Sequence, residues 1–118
     1  MLNFTNLVDL VQIFANEYSI PGNTVLILGI HDLKIKKLFE FIECETIFIS
    51  NTPLPDFDII ADYSDLPFEE RSFDIILNFT NEIDLFHLLK KNGTILTQSE
   101  ILNGKGYYTL NNVIYTVL

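Results

Sequence analysis

Few side chains in this sequence stand where their types and spacing could do chemistry. The first set follows the apolar run "TVLIL": Gly29, His31 and Asp32 lie between that run and the start signal of a helix. A glycine there lets the backbone approach a ligand closely, and N–H groups at a helix N-terminus suit an anionic or nucleotide ligand. His31 alone could serve as a base. No nucleophile or acid is fixed near it except Asp32, whose type and place also suit an N-cap. The second set is Asp62 with Tyr63, in "ADYSDLPF"; there a carboxylate can equally close a turn before the Leu-Pro-Phe stretch. Asn78 ends the run "SFDIILN" and could hydrogen-bond a substrate, while Asn81 reads as the N-cap of a following helix. His87 falls between Phe86 and Leu88 and reads as a partly exposed helix residue. Cys44 ends a helix and reads as a small buried thiol. Tyr107, Tyr108 and Tyr115 read as packing partners across a hairpin. No residue earns a catalytic assignment on these grounds. A single cysteine excludes an intrachain disulfide and a cysteine-built zinc or iron–sulfur site.

The elements that must position these groups are legible from period and punctuation. In "TNLVDLVQIFANEY", Leu7, Val8, Val11 and Phe14 share one helical face, with Thr5 or Asn6 as cap and "SIPGN" as terminator. "TVLILG" is a strand apolar on both faces, as a buried parallel sheet requires. "HDLKIKKLFEFIEC" is a helix, with Ile35, Leu38, Phe39 and Ile42 at the core-facing positions. "ETIFIS", the short "FDIIA" and "SFDIILNF" follow as strands. "NEIDLFHLLKKNG" predicts a helix, because Glu82 and Asp84 suit its first turn, Lys90 and Lys91 its last, and Gly93 a left-handed cap. "TILTQ" is a strand. "GYYTL-NN-VIYTVL" is a hairpin, since Asn111-Asn112 tolerates the positive φ of a two-residue turn. Strands alternating with helices predict an α/β domain with a mostly parallel sheet covered on its faces. Two links, Asn51–Asp56 and Ser99–Lys105, are short for helical crossovers.

At 118 residues, 48 % of them apolar, the chain predicts one domain over 1–118 with a packed core. Its net charge is −9, and seven acids fall between Asp56 and Asp74 against Arg71 alone. Such a surface repels nucleic acid and keeps a protein soluble; it could also attract a basic partner. The apolar runs fall far short of the ~20 residues of a membrane span. No basic-then-apolar leader opens the sequence, so a cytoplasmic, reducing compartment is expected. The oligomeric state is not set by the sequence.

From about Val25 onward the chain resembles the class I S-adenosylmethionine-dependent methyltransferases. "VLILG" is similar to their first strand and "ADYSDLPFEERSFDIILN" to their third-strand acid, Leu-Pro-Phe turn and fourth strand. "LLKKNGTIL" resembles the turn into their fifth strand, and the terminal hairpin their sixth and seventh strands. The resemblance implies a Rossmann-like sheet with a C-terminal antiparallel hairpin, here a minimal form with reduced helices. Its cofactor positions would fall on Gly29, His31, Asp32, Asp62 and Tyr63, with Asp62 matching the acid that contacts the adenine amino group.

Departures from the family pattern concentrate at those positions. The acid of the first strand falls on Ile27, the second and third glycines on His31 and Leu33, and the ribose-binding acid on Phe48 or Ile49. An apolar side chain cannot accept hydroxyl hydrogen bonds. The expectation is therefore a degenerate, non-catalytic methyltransferase-like domain with no cofactor and no metal, acting through protein partners. The N-terminal domain of anamorsin-type iron–sulfur assembly proteins is similar in this respect. The competing expectation is a minimal methyltransferase that binds S-adenosylmethionine at an atypical loop. A third, a domain for some other nucleotide, lacks a phosphate loop and basic residues.

Overall fold

The computed structural model describes residues 1–98 and 103–118. Helix α1 (Leu7–Tyr18) begins where the Asn6 side chain accepts hydrogen bonds from the amides of Val8 and Asp9, which fixes Asn6 as the cap. Helix α2 (Leu33–Phe41) begins in the same way at Asp32, whose carboxylate takes the amides of Lys34 and Ile35. Preceding α1 is a three-residue strand, β1 (Leu2–Phe4), which the sequence pattern did not announce. The others are β2 (Thr24–Leu28), β3 (Glu45–Ser50), β4 (Ile59–Ile60), β5 (Phe73–Asn78), β6 (Leu89–Gln98), β7 (Gly106–Leu110) and β8 (Val113–Val117).

These eight strands form one sheet in the order β1-β7-β8-β6-β5-β2-β3-β4. All neighbours are parallel except β8, which runs antiparallel to both β6 and β7. The architecture is thus the expected α/β fold, mostly parallel, with an antiparallel hairpin at its C-terminal end. Asn111 and Asn112 both take positive φ, +50° and +68°, as the hairpin turn demands. The link 51–58 between the parallel strands β3 and β4 carries no helix. Part of the 99–105 link lies outside the described residues.

Strand alternation sends side chains into two cores. Val25 and Ile27 of β2, with Ile75 and Leu77 of β5, meet Leu10, Val11, Phe14 and Ala15 of α1 and Ile35 and Phe39 of α2. Leu26, Leu28 and Ile76 face the other way, into a smaller cluster with Ile95, Leu85 and Leu88. Both helices therefore cover one face of the sheet, and irregular segments cover the other. Helices on both faces had been expected.

The difference traces to residues 81–93. They do not form a helix. A loop leads to a single 3-10 turn (Phe86–Leu88), and β6 already begins at Leu89. Asn81 is accordingly not a helix cap, and His87 sits in the 3-10 turn. Asn92, with φ +67°, takes the left-handed conformation expected of Gly93. Specific hydrogen bonds divert the backbone groups a helix would need. The Asn78 side chain donates from Nδ2 to the Glu82 carbonyl at 2.7 Å, and the Arg71 backbone amide donates to the His87 carbonyl at 2.9 Å. The Glu82 carboxylate accepts from the amides of Ile83 and Asp84, first-turn donors that a helix would itself have left unpaired. Local helix preference is weak enough to lose to such contacts.

Candidate functional site

In a parallel α/β sheet, ligands bind beyond the carboxyl ends of the strands. The ends of β2, β3 and β5 bring Gly29, His31, Phe48 and Asn78 to that edge. Gly29 has φ +92°, and its amide donates to the Ile49 carbonyl at 3.0 Å. A Cβ on Gly29 would lie 2.8 Å from Thr80 Cγ2 and 3.1 Å from the Phe79 carbonyl oxygen. The close approach that requires a glycine is thus made by the protein's own chain, where a ligand would otherwise come near. The Phe79 amide also donates to the Leu28 carbonyl, fastening the segment after β5 onto the end of β2.

His31 lies beside this junction. Its ring is 4.7 Å from that of Phe48 and 5.9 Å from that of Phe57. Phe48 is fully buried and is one of the two positions where the family resemblance would place the ribose acid. The residue at the second glycine position is therefore packed on the residue at the ribose position. Asp32 is committed to capping α2 through its 2.7 Å bond from the Lys34 amide.

Asn78, buried to 1 % exposure, uses its whole side-chain amide internally. Nδ2 donates to the Glu82 carbonyl and to Thr97 Oγ1, and Oδ1 accepts from the Thr80 amide and hydroxyl. Two donors and two acceptor sites are the full capacity of this side chain. Nothing is left for a substrate.

Asp62 is exposed and closes a turn: its Oδ1 accepts from the Ser64 amide at 3.0 Å and the Ser64 hydroxyl at 2.8 Å. These donors hold its carboxyl below the usual carboxylate range. Tyr63 packs against the second core. A groove of about 780 Å³ runs along Thr5–Val8, His31–Lys34 and Lys37, between the N-termini of the two helices. His31 and Asp32 line it; Gly29, Asp62 and Tyr63 do not.

The remaining candidates are structural. Cys44 is buried, its Sγ donates to the Ile20 carbonyl at 3.3 Å, and burial pushes its thiol up. Tyr108 and Tyr115 face each other across β7 and β8 in the first core. Tyr107 accepts a bond from the Gly104 amide through its hydroxyl. Among the described residues, no three His, Cys, Asp or Glu side chains form a metal-binding group. Nor is any described helix long and apolar enough to cross a membrane. The signal that sequence reasoning missed is the partner of Gly29: Phe79 and Thr80 lie about fifty residues away, and only topology brings them together.

The chain matches no protein-family model and no curated protein sequence.

Proposed function

We propose that this chain is a non-catalytic, methyltransferase-like domain that acts through contacts with another protein. The observation that carries the reading is the occupied strand-end site. Thr80 and Phe79 press on Gly29, His31 lies on Phe48, and Asn78 is saturated by its own loop. Gly29, Asp32, Asp62 and Asn78 each have their close contacts or hydrogen bonds within the fold, whereas Leu33, at the third glycine position, is exposed and lines the groove between the helix N-termini. The sheet supports the likeness itself: the strands of the matched motifs run parallel, and the terminal hairpin continues the sheet with one antiparallel strand. On this reading the domain is a scaffold or regulatory subunit, of the kind represented by the N-terminal domain of anamorsin-type assembly factors.

Calorimetric titration with S-adenosylmethionine and S-adenosylhomocysteine tests the reading. The expected result is no binding heat from folded protein. Micromolar binding of either would overturn it and establish the minimal methyltransferase, with the His31-Asp32 loop as an unorthodox cradle.

A further inference from the structure

The sheet's two faces are finished differently. Helices α1 and α2 cover one; segments 61–72 and 79–88 cover the other, tied together by the Arg71 amide bond to the His87 carbonyl. Tyr63, Leu66, Phe68, Leu85 and Leu88 turn inward from these segments and close the second core. Outward from the same layer stand Ile83, 86 % exposed, and Phe86, 51 % exposed. Phe86 borders a shallow groove of about 500 Å³ walled by Glu70, Arg71, His87, Leu89 and, at its far rim beyond the layer, Lys91.

Charge on this layer is one-sided. Residues 61–72 and 79–88 contain six acids (Asp62, Asp65, Glu69, Glu70, Glu82 and Asp84) and one base, Arg71. All six reach solvent, with only Glu82 half-buried. Bulky apolar anchors on a layer whose charges are six acids to one base form an interface of mainly negative sign: the apolar groups supply affinity, and the charges select the partner and speed its approach.

We infer that this helix-free face docks a partner-protein segment in which Lys or Arg residues surround bulky apolar side chains, as on a basic amphipathic helix. The inference rests on the protein-contact reading above and names the chemistry of the partner. Nucleic acid and anionic lipid are repelled by the same acids. A two-fold dimer through this face would set acid against acid. A head-to-tail contact, with the Lys34, Lys36 and Lys37 side of α2 on the acidic face of the next copy, would not close and would build filaments.

The probe is a synthetic amphipathic peptide of Leu and Lys, followed by fluorescence anisotropy, with amide shifts mapped by NMR on the whole chain. A Leu/Glu twin and a Lys peptide without apolar residues are the controls. The Leu/Lys peptide should bind, with shifts confined to 62–70 and 82–88. Ile83→Ser with Phe86→Ser should weaken it by about tenfold at an unchanged unfolding midpoint. Glu69→Lys with Glu70→Lys should weaken it too and flatten its dependence on salt. If the serine pair perturbs folding, Asp84→Asn provides a second reading, a loss of about threefold. Equal binding of the Lys-only peptide, shifts on the α1–α2 face, or indifference to all these variants would overturn the inference. So would sedimentation showing self-association through Ile83 and Phe86. Cofactor binding in the calorimeter would refute the non-catalytic reading yet leave mapped peptide binding intact, so the two failures are separable.

Discussion

Replacing Gly29 with alanine should destabilise the protein through one identifiable neighbour. At φ +92°, any side chain is strained by about 1–2 kcal/mol. The added Cβ also meets Thr80 Cγ2 at 2.8 Å, inside van der Waals contact. Forcing atoms into a packed site costs about 1–3 kcal/mol, so Gly29→Ala should lose about 2–5 kcal/mol in all. Thr80→Ser removes the offending methyl and keeps the hydroxyl that donates to Asn78 Oδ1. In that background the strain remains and much of the contact goes, so the loss should shrink by about 1 kcal/mol or more. Urea unfolding followed by far-ultraviolet circular dichroism on the four proteins of this cycle gives the coupling. Additivity within about 0.5 kcal/mol would mean that Thr80 does not press on Gly29. The claim that the chain itself fills the ligand's approach would then be refuted.

The other predictions concern groups whose roles the structure assigns. Asn78→Ala should cost about 2–4 kcal/mol, since the Glu82 carbonyl and the Thr80 amide each lose a partner; a midpoint in urea equal to that of the parent chain would contradict this. Asp62 has a lowered carboxyl in the folded state, so its stabilising effect is present above its unfolded value of about 3.9 and lost as pH falls through the lower folded value. Asp62→Ala should accordingly reduce stability at neutral pH and have no effect at strongly acid pH, read from unfolding midpoints across that range. Tyr108 is pushed up by burial and by the nearby Tyr18 and Glu17. Its contribution is complete below the unfolded value of about 10 and declines above it, so Tyr108→Phe should soften the alkaline loss of stability, with tyrosinate absorbance as the check. The buried Cys44 thiol should react with iodoacetamide only as fast as the protein opens, so urea that populates the unfolded state should accelerate labelling.

What could be read from the sequence depended on whether the deciding contacts were local. The runs of β2 and β5 were legible because both faces of a central parallel strand are buried. The cap Asp32, the choice of Thr5 or Asn6 that the structure resolves to Asn6, and the turn at Asn111-Asn112 were legible because each acts on residues within a few positions. Strand β1 was not: its three residues are exposed or half-exposed and pair with Tyr108–Leu110, about a hundred positions away. The helix expected over 81–93 failed for the same reason. Its charge order was right for a helix, but the group that captures the His87 carbonyl comes from Arg71, before the strand. At the candidate site, the need for glycine at position 29 was legible. That Thr80 approaches it, from about fifty positions away, was not.

One local event connects the contact at Gly29 to the exposed face. Asn78 ends β5, and its side chain grips Thr80 and Glu82 on the same short loop. Holding Thr80 places its methyl against Gly29, where a Cβ would meet it at 2.8 Å. Holding Glu82 denies its carbonyl to the first turn of a helix, so the chain crosses the sheet as a loop. A loop buries fewer of its side chains than a packed amphipathic helix does: Leu85 and Leu88 go in, while Ile83 and Phe86 stay out. The close contact at Gly29 and the exposed Ile83 and Phe86 are therefore two consequences of the same three hydrogen bonds.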